Sequence, residues 1–283
     1  MRGIEFSPDS YRGEQKEVIA KAYAKAEALF LQHEIKPRDF IHLYTERAVL
    51  NDLDYVSRLE KKMDLQNSPH EKTKLVPATI LEAIIFEQGE QSEWFGPEAS
   101  TIKTSRYDDV VNKVDTIIEF IDKRKKASHS ALAIDATFSL NIHDKLNEIK
   151  KMINAGTLAN IKYFQSDNSP HRGELLNVPL TVVSSHYKTV QELSRLWVDN
   201  DHEALGKHWI QFQLLDELTE QGHLYADYAT KVKQPKIANL YQEIAELAEE
   251  ILRVKTENGL VDPGIRDDNF YKNLQDMEKI FHY

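Results

Sequence analysis

The hydrophobic period of this chain changes twice, and that change constrains its fold more than any other feature. Near the N-terminus, Val18, Ala22, Ala26, Leu29 and Phe30 recur at steps of three and four, with Glu14, Lys16, Lys21, Lys25 and Glu27 between them. That is the stripe of an amphipathic helix. Lys36-Pro37-Arg38-Asp39 breaks it and starts a second helix through Phe40, Leu43 and Tyr44. A third is expected from Asn51 or Asp52, either able to cap it, through Leu53, Val56, Leu59 and Met63. The polar stretch 66–72 reads as a connection.

The middle of the chain reads differently. Pro77 opens a helix through Ile80, Leu81, Ile84, Ile85 and Phe86, and β-rich runs follow at 114–121, 131–138, 161–164 and 179–183. A helix through Ile142, Leu146, Ile149, Met152 and Ile153 separates the second run from the third. From residue 187 the helical period returns, with expected spans 188–198, 202–220, 236–256 and 268–281 and a turn at Asp262-Pro263-Gly264. The expected class is mixed α+β, a small mixed sheet flanked by helices. Its expected parts are a helical region 1–72, a mixed α/β core 73–186 and a helical region 187–283.

Composition narrows the function. The 283 residues carry 36 Lys and Arg against 46 Asp and Glu, a formal charge of −10, which argues against binding duplex DNA by general positive charge while leaving room for a local basic groove. There are no cysteines, so disulfides, thiolate metal sites and cysteine nucleophiles are excluded. The first residues contain no apolar stretch of a signal peptide, and the longest apolar run, near 80–86, is far short of the ~20 residues that span a bilayer. A cytoplasmic protein without a membrane partner is expected. The 10 glycines form neither GxGxxG nor GxxxxGK[ST], and GxSxG and HExxH are also absent. His202 and His208 lie six apart, about 600° of helical rotation, and do not share a face.

The strongest chemical signal lies between residues 105 and 139. Asp115 begins one β-rich run and Asp135 sits in the next, flanked by Ala133, Ile134 and Ala136. Folding the polar loop between the runs about Lys126 would bring Asp115 near Thr137, with Asp135 close by. Two adjacent carboxylates repel, and hard oxygen ligands suit Mg²⁺ or Mn²⁺. A purely structural Asp135 would cap a loop or pair with Arg106 or Lys113. Asp108-Asp109 reads as a turn before the strand or as a further acidic ligand. Arg106 and Lys103, with Lys123, Arg124, Lys125 and Lys126 of the loop, supply local positive charge for a phosphate backbone, or the loop simply forms a solvated hairpin tip.

This arrangement resembles the PD-(D/E)xK nucleases, whose core is a helix, a strand hairpin, a helix and a further strand. Val114-Asp115 matches the family's first aspartate and Asp135-Ala136-Thr137 its triplet, over roughly residues 78–165. The resemblance implies metal-dependent phosphodiester hydrolysis of a nucleic acid. Asp115 and Asp135 would hold Mg²⁺ or Mn²⁺, and Glu82 or Glu87 on the preceding helix would be an outer ligand. The triplet lysine is replaced by Thr137, so another amine must serve: Lys113, Lys145, Lys150, Lys151 or Lys162. Without one the chain would be an inactive relative. The competing expectation is a non-enzymatic interaction protein. It would use its C-terminal helices, above all the stripe Ile237, Leu240, Ile244, Leu247, Ile251 and Leu252, to bind a protein partner.

Overall fold

Consecutive strand residues point to opposite faces, and the central strand of this protein buries both. The structure, a computed structural model, describes residues 8–66, 69–121, 127–135 and 142–281. The N-terminal part contains α1 (Pro8–His33), a 3₁₀ turn (Pro37–Phe40), α2 (Glu46–Gln66) and α3 (Pro69–Gln91). Strand β1 (Ala99–Lys103), helix α4 (Arg106–Asn112), strands β2 (Thr116–Ile121) and β3 (Ala127–Asp135), and helix α5 (Ile142–Ala155) follow. Then come the β4 (Ala159–Gln165) and β5 (Arg172–Val178) pair, and β6 (Leu180–Ser184). The chain continues through α6 (Tyr187–Val198), α7 (His202–Gly206), α8 (Ile210–Lys231), α9 (Pro235–Glu257) and α10 (Asp268–Phe281).

The expected mixed sheet flanked by helices is present. Its strand order is β1-β2-β3-β6, with β1, β2 and β3 antiparallel and β6 parallel to β3. β4 and β5 form a separate antiparallel pair. On β2, Ile118 and Phe120 enter one apolar cluster with Ala22 and Ala26 of α1, Ile80 and Ile84 of α3, and Leu193 and Trp197 of α6. Ile117 faces the other way, into a second cluster with Leu146 and Ile149 of α5, Ile161 of β4, Tyr241 of α9 and Phe281 of α10. Each cluster therefore draws on residues from more than one of the three sequence regions.

Several expected boundaries move. α2 starts at Glu46, so Asn51 and Asp52 lie inside the helix and do not cap it. The expected connection at 66–72 is helical from Pro69, and Pro77 lies within α3 although its missing N–H removes one helical hydrogen bond. The expected helix 202–220 is two helices, and β1, α4 and β5 were not anticipated. The stripe of α9 packs largely inward: Ile237, Ile244 and Ile251 are buried in the two clusters, and Leu240, Leu247 and Leu252 are half-buried against them. At Gly222 on α8, a Cβ would stand 2.8 Å from that of Ala245 and 2.9 Å from the Tyr241 carbonyl. Only glycine permits α8 and α9 to approach this closely.

The outer edge of β6 is sealed by side chains instead of a strand. Val182 donates its N–H to Gln221 Oε1 at 2.8 Å and accepts from Gln221 Nε2 at 2.8 Å. Ser184 donates its N–H to Glu217 Oε2 at 3.1 Å, and its carbonyl accepts from Gln213 Nε2 at 2.9 Å. The hydroxyl of Tyr241 accepts from Leu180 N–H and donates to Leu180 O. Gln213, Glu217 and Gln221 recur at steps of four, so one face of α8 presents them in a row. Replacing Gln221 with Leu leaves a buried N–H and a buried carbonyl unpaired, at about 1–3 kcal/mol each. Urea denaturation of Gln221→Leu is expected to show a loss of about 2–5 kcal/mol with an unchanged slope.

Candidate functional site

The register of the β2–β3 hairpin decides what its aspartates can do. Thr116 pairs with Leu132 and Ile121 with Ala127, so the hairpin does not fold about Lys126, and extending the ladder by one residue sets Asp115 opposite Ala133. The expected Asp115–Thr137 pairing is thereby corrected by four residues, and Thr137 itself lies outside the described residues. The start of β2, where Asp115 stands, still lies beside the end of β3, where Asp135 is the last residue and pairs with Ser184 of β6.

Around Asp115 the chain gathers charge from five segments. Lys103, at the end of β1, is 5% exposed, and its ammonium lies 2.7 Å from Glu82 Oε1 on α3 and 3.7 Å from Asp109 Oδ2 on α4. The same ammonium donates to the Asp115 carbonyl at 3.2 Å and lies 5.0 Å from the Phe30 ring centroid. Arg106 bonds Glu60 of α2 at 2.6 Å and Asp109 at 2.7 Å. Burial drives the Glu82 carboxyl up to about 8, against the pull of Lys103 and with the help of Asp115 and Asp109. Burial also raises Glu34, at the end of α1, although Lys103 and Arg106 oppose it. Lys103 itself is held charged by Glu82, Asp109 and Asp115, which together outweigh its desolvation.

The neighbouring Asp108 has a different task. Ser105 caps α4, its hydroxyl accepting from Asp108 N–H and donating to the Asp108 carboxylate at 2.7 Å. That carboxylate also accepts from Asn112 Nδ2 and from the backbone N–H groups of Lys162 and Tyr163. Burial raises its pKa, with these donors opposing the rise. Asp108 is thus a clasp between α4 and β4. Asp109 alone joins the charged cluster.

Other expected site residues are occupied elsewhere. Glu87 accepts from Trp197 Nε1 of α6 and from Gln88 Nε2. Lys150 donates to the Ile280 carbonyl and lies over the Tyr228 ring, which places it against α10 and α8. Lys162 pairs with Asp52 and sits over the rings of Tyr44, Tyr107 and Tyr163. Lys150 and Lys162 are thus each engaged in packing that the sequence did not reveal, and neither is brought to Asp115 by the contacts it makes. Arg106 is paired with two carboxylates, Glu60 and Asp109, and its side chain is about half exposed. Lys123, Arg124, Lys125 and Lys126 lie outside the described residues, as does the side chain of Asp135.

Lys103, expected only as local positive charge, is the amine at this position, and its pairing with Glu82 beside Asp115 was not foreseen. Besides meeting Glu82, it lines a cleft of about 540 Å³ together with His33, Glu87, Glu90, Gln165 and Asp167. Its only sequence signal is a lysine in Thr101-Ile102-Lys103, with no alternation strong enough to mark a strand. Among the described residues no three His, Cys, Asp or Glu side chains converge on one metal position. No helix among them is long and apolar enough to cross a membrane. No family model, curated protein or solved structure matches the chain.

The raised Glu82 carboxyl has a consequence for stability. Between its ordinary value of 4.5 and about 8, the folded state keeps a proton that the unfolded state releases. The native state binds more protons across this window, so stability falls as pH rises through it. Glu82→Gln removes the titration. The melting temperature of the wild type is expected to decline relative to that of Glu82→Gln between about pH 5 and pH 8, measured by calorimetry in matched buffers.

Proposed function

We propose that the protein is a metal-dependent phosphodiesterase acting on nucleic acid, built on a core like that of the PD-(D/E)xK nucleases. Support comes first from the order of elements. α3, the β2–β3 hairpin, α5 and β6 reproduce helix, strand hairpin, helix and further strand, with β1 added beside the hairpin and β4–β5 inserted before the last strand. The observation that carries the reading is the placement of acidic and basic groups on that core. Asp115 immediately precedes β2, Asp135 closes the adjacent β3, and the buried Glu82–Lys103 pair stands against the Asp115 carbonyl.

The donor set fits a hard divalent cation. Asp115, Asp135 and Glu82 offer carboxylate oxygens of the kind that Mg²⁺ and Mn²⁺ prefer. Five carboxyl groups (Glu34, Glu60, Glu82, Asp109 and Asp115) surround two cations, Lys103 and Arg106, so negative charge is in excess. Proton uptake by Glu82 offsets part of that excess, and a divalent ion would offset it more fully. When bound, the ion would lower the pKa of a coordinated water and stabilise charge on the phosphoryl group.

The chain's own residues supply the rest. Asp115 and Asp135 would position the ion, with Glu82 behind them. Lys103 would stand in for the lysine that Thr137 replaces: its ammonium lies 3.2 Å from the Asp115 carbonyl, and there it would offset charge developing on a phosphate oxygen. The neighbouring Glu82 and Asp109 keep that amine protonated, so it acts as an electrostatic group and not as a base. In this reading Arg106 organises the carboxylates by joining Glu60 to Asp109, and the nucleic-acid backbone is met by Lys103 and by the cations of the 123–126 loop.

Calorimetric titration with Mn²⁺ and Mg²⁺, paired with hydrolysis of single- and double-stranded DNA and RNA, tests the reading. The wild type is expected to bind Mn²⁺ saturably and to release protons from Glu82, which shows as a dependence of the observed heat on the buffer. Asp115→Asn and Asp135→Asn should abolish binding. Lys103→Met should retain Mn²⁺ but lose about 100-fold or more in hydrolysis, the size expected for one charge-stabilising group. A wild type that binds neither ion would sink the proposal.

A further inference from the structure

A second cavity, of about 650 Å³, opens between the turn that joins α3 to β1 and the C-terminal half of α9. Its walls are mainly apolar, with Phe95, Phe120, Leu247, Ile251 and Val254 among the residues that form them. Its size falls within the range of roughly 300–1,000 Å³ typical of small-molecule sites.

The polar feature of this cavity is Lys255. Its ammonium donates to the Glu93 carbonyl at 2.6 Å and to Gln211 Oε1 at 2.9 Å, and both acceptors are neutral. Among the described residues that line the cavity, Lys255 is the only cation. Three carboxylates also border it. Glu250 is engaged by Arg253 at 2.5 Å, while Glu93 and Glu98 are exposed. An ammonium carries three N–H donors, and the two neutral acceptors leave its charge without a close counterion. Burial accordingly lowers the Lys255 pKa to about 8, with Glu93 only partly opposing the fall.

A purely mechanical role would have Lys255 tether α9 to the turn at Glu93, whose φ is 50°. That role accounts for the bond to the Glu93 carbonyl. It does not account for a partly desolvated charge set beside an open apolar cavity, which costs free energy unless an anion is supplied. We propose that this cavity binds a small amphipathic carboxylate, with its apolar body against Phe95, Leu247 and Ile251 and its carboxylate on the Lys255 ammonium. The proposal is independent of the metal-dependent reading, because none of the charged residues invoked there lines this cavity.

The test compares octanoate, 1-octanol and octyltrimethylammonium by calorimetry on the full-length protein, because the three share a chain and differ in the head group. Octanoate is expected to bind saturably at one site, at least about tenfold more tightly than octanol, a preference worth about 1.4 kcal/mol. Octyltrimethylammonium should bind more weakly than either. In Lys255→Met the affinity for octanoate should fall to that for octanol, while octanol binding is unchanged. In Val254→Asp, which charges the wall and leaves the lysine in place, both ligands should be lost. Wild-type protein that binds no octanoate, or binds it no better than octanol, overturns the proposal without reference to any variant. A folded Lys255→Met that keeps the preference for octanoate also overturns it and leaves Lys255 as a tether alone.

Discussion

A strand whose outer edge is buried must find partners for its N–H and carbonyl groups, and β6 finds them on two helices, α8 and α9. Tyr241, Gln221, Glu217 and Gln213 satisfy Leu180, Val182 and Ser184 in turn, so side chains replace the backbone of a fifth strand. An unpaired buried backbone group costs about as much as the hydrogen bond it lacks, which makes the seal obligatory. The seal also fixes position. Each contact requires α8 to lie along β6 in one register, and Gly222 lets α9 pack closely behind it. The N-terminal turn of α10 is fastened to the same region through Asp267, which accepts from Ser185 Oγ, His186 N–H and Phe270 N–H. The C-terminal helices are therefore structural parts of the sheet.

The opposite end of the sheet carries the charge. Lys103, Glu82, Asp109 and Asp115 meet where β1 ends and β2 begins, among side chains largely removed from water. A charged group in such a place is retained only with partners, and here the carboxyl groups outnumber the cations. Glu82 responds by holding its proton to about 8. Lys103 also borders the cleft along β1.

Much of the fold was legible in the residue pattern. The apolar runs at 114–121, 161–164 and 179–183 became β2, β4 and β6, and Ile142, Leu146, Ile149 and Ile153 mark the buried face of α5. β1 was missed because Ser100-Thr101-Ile102-Lys103 buries a threonine and a lysine, residues that carry no strong apolar signal. β5 was missed for a related reason: Glu174, Leu176 and Asn177 are exposed, so no continuous apolar face marks it. Asp115 was singled out from its place at the start of a β-rich run, and Glu82 only through the resemblance, as one of two candidates with Glu87. The hairpin register was not legible, since a polar loop from 122 to 130 does not specify where the chain turns, and the strand in fact pairs from Ala127.

From its sequence alone, this protein was determined to be a mixed sheet flanked by helices, with Asp115 near the start of one β-rich run and Asp135 within the next. Those properties follow from the period of apolar residues, which depends on neighbours only a few positions apart. Tertiary structure alone decided which charges meet. Lys103 reaches Glu82 and Asp115 because β1 pairs with β2 under α3, whereas Lys162 is captured by Asp52 and three tyrosines and Lys150 by the C-terminal helix. The reason is physical: an ammonium's partner is set by burial and distance in space, and those depend on contacts between segments tens to more than a hundred residues apart.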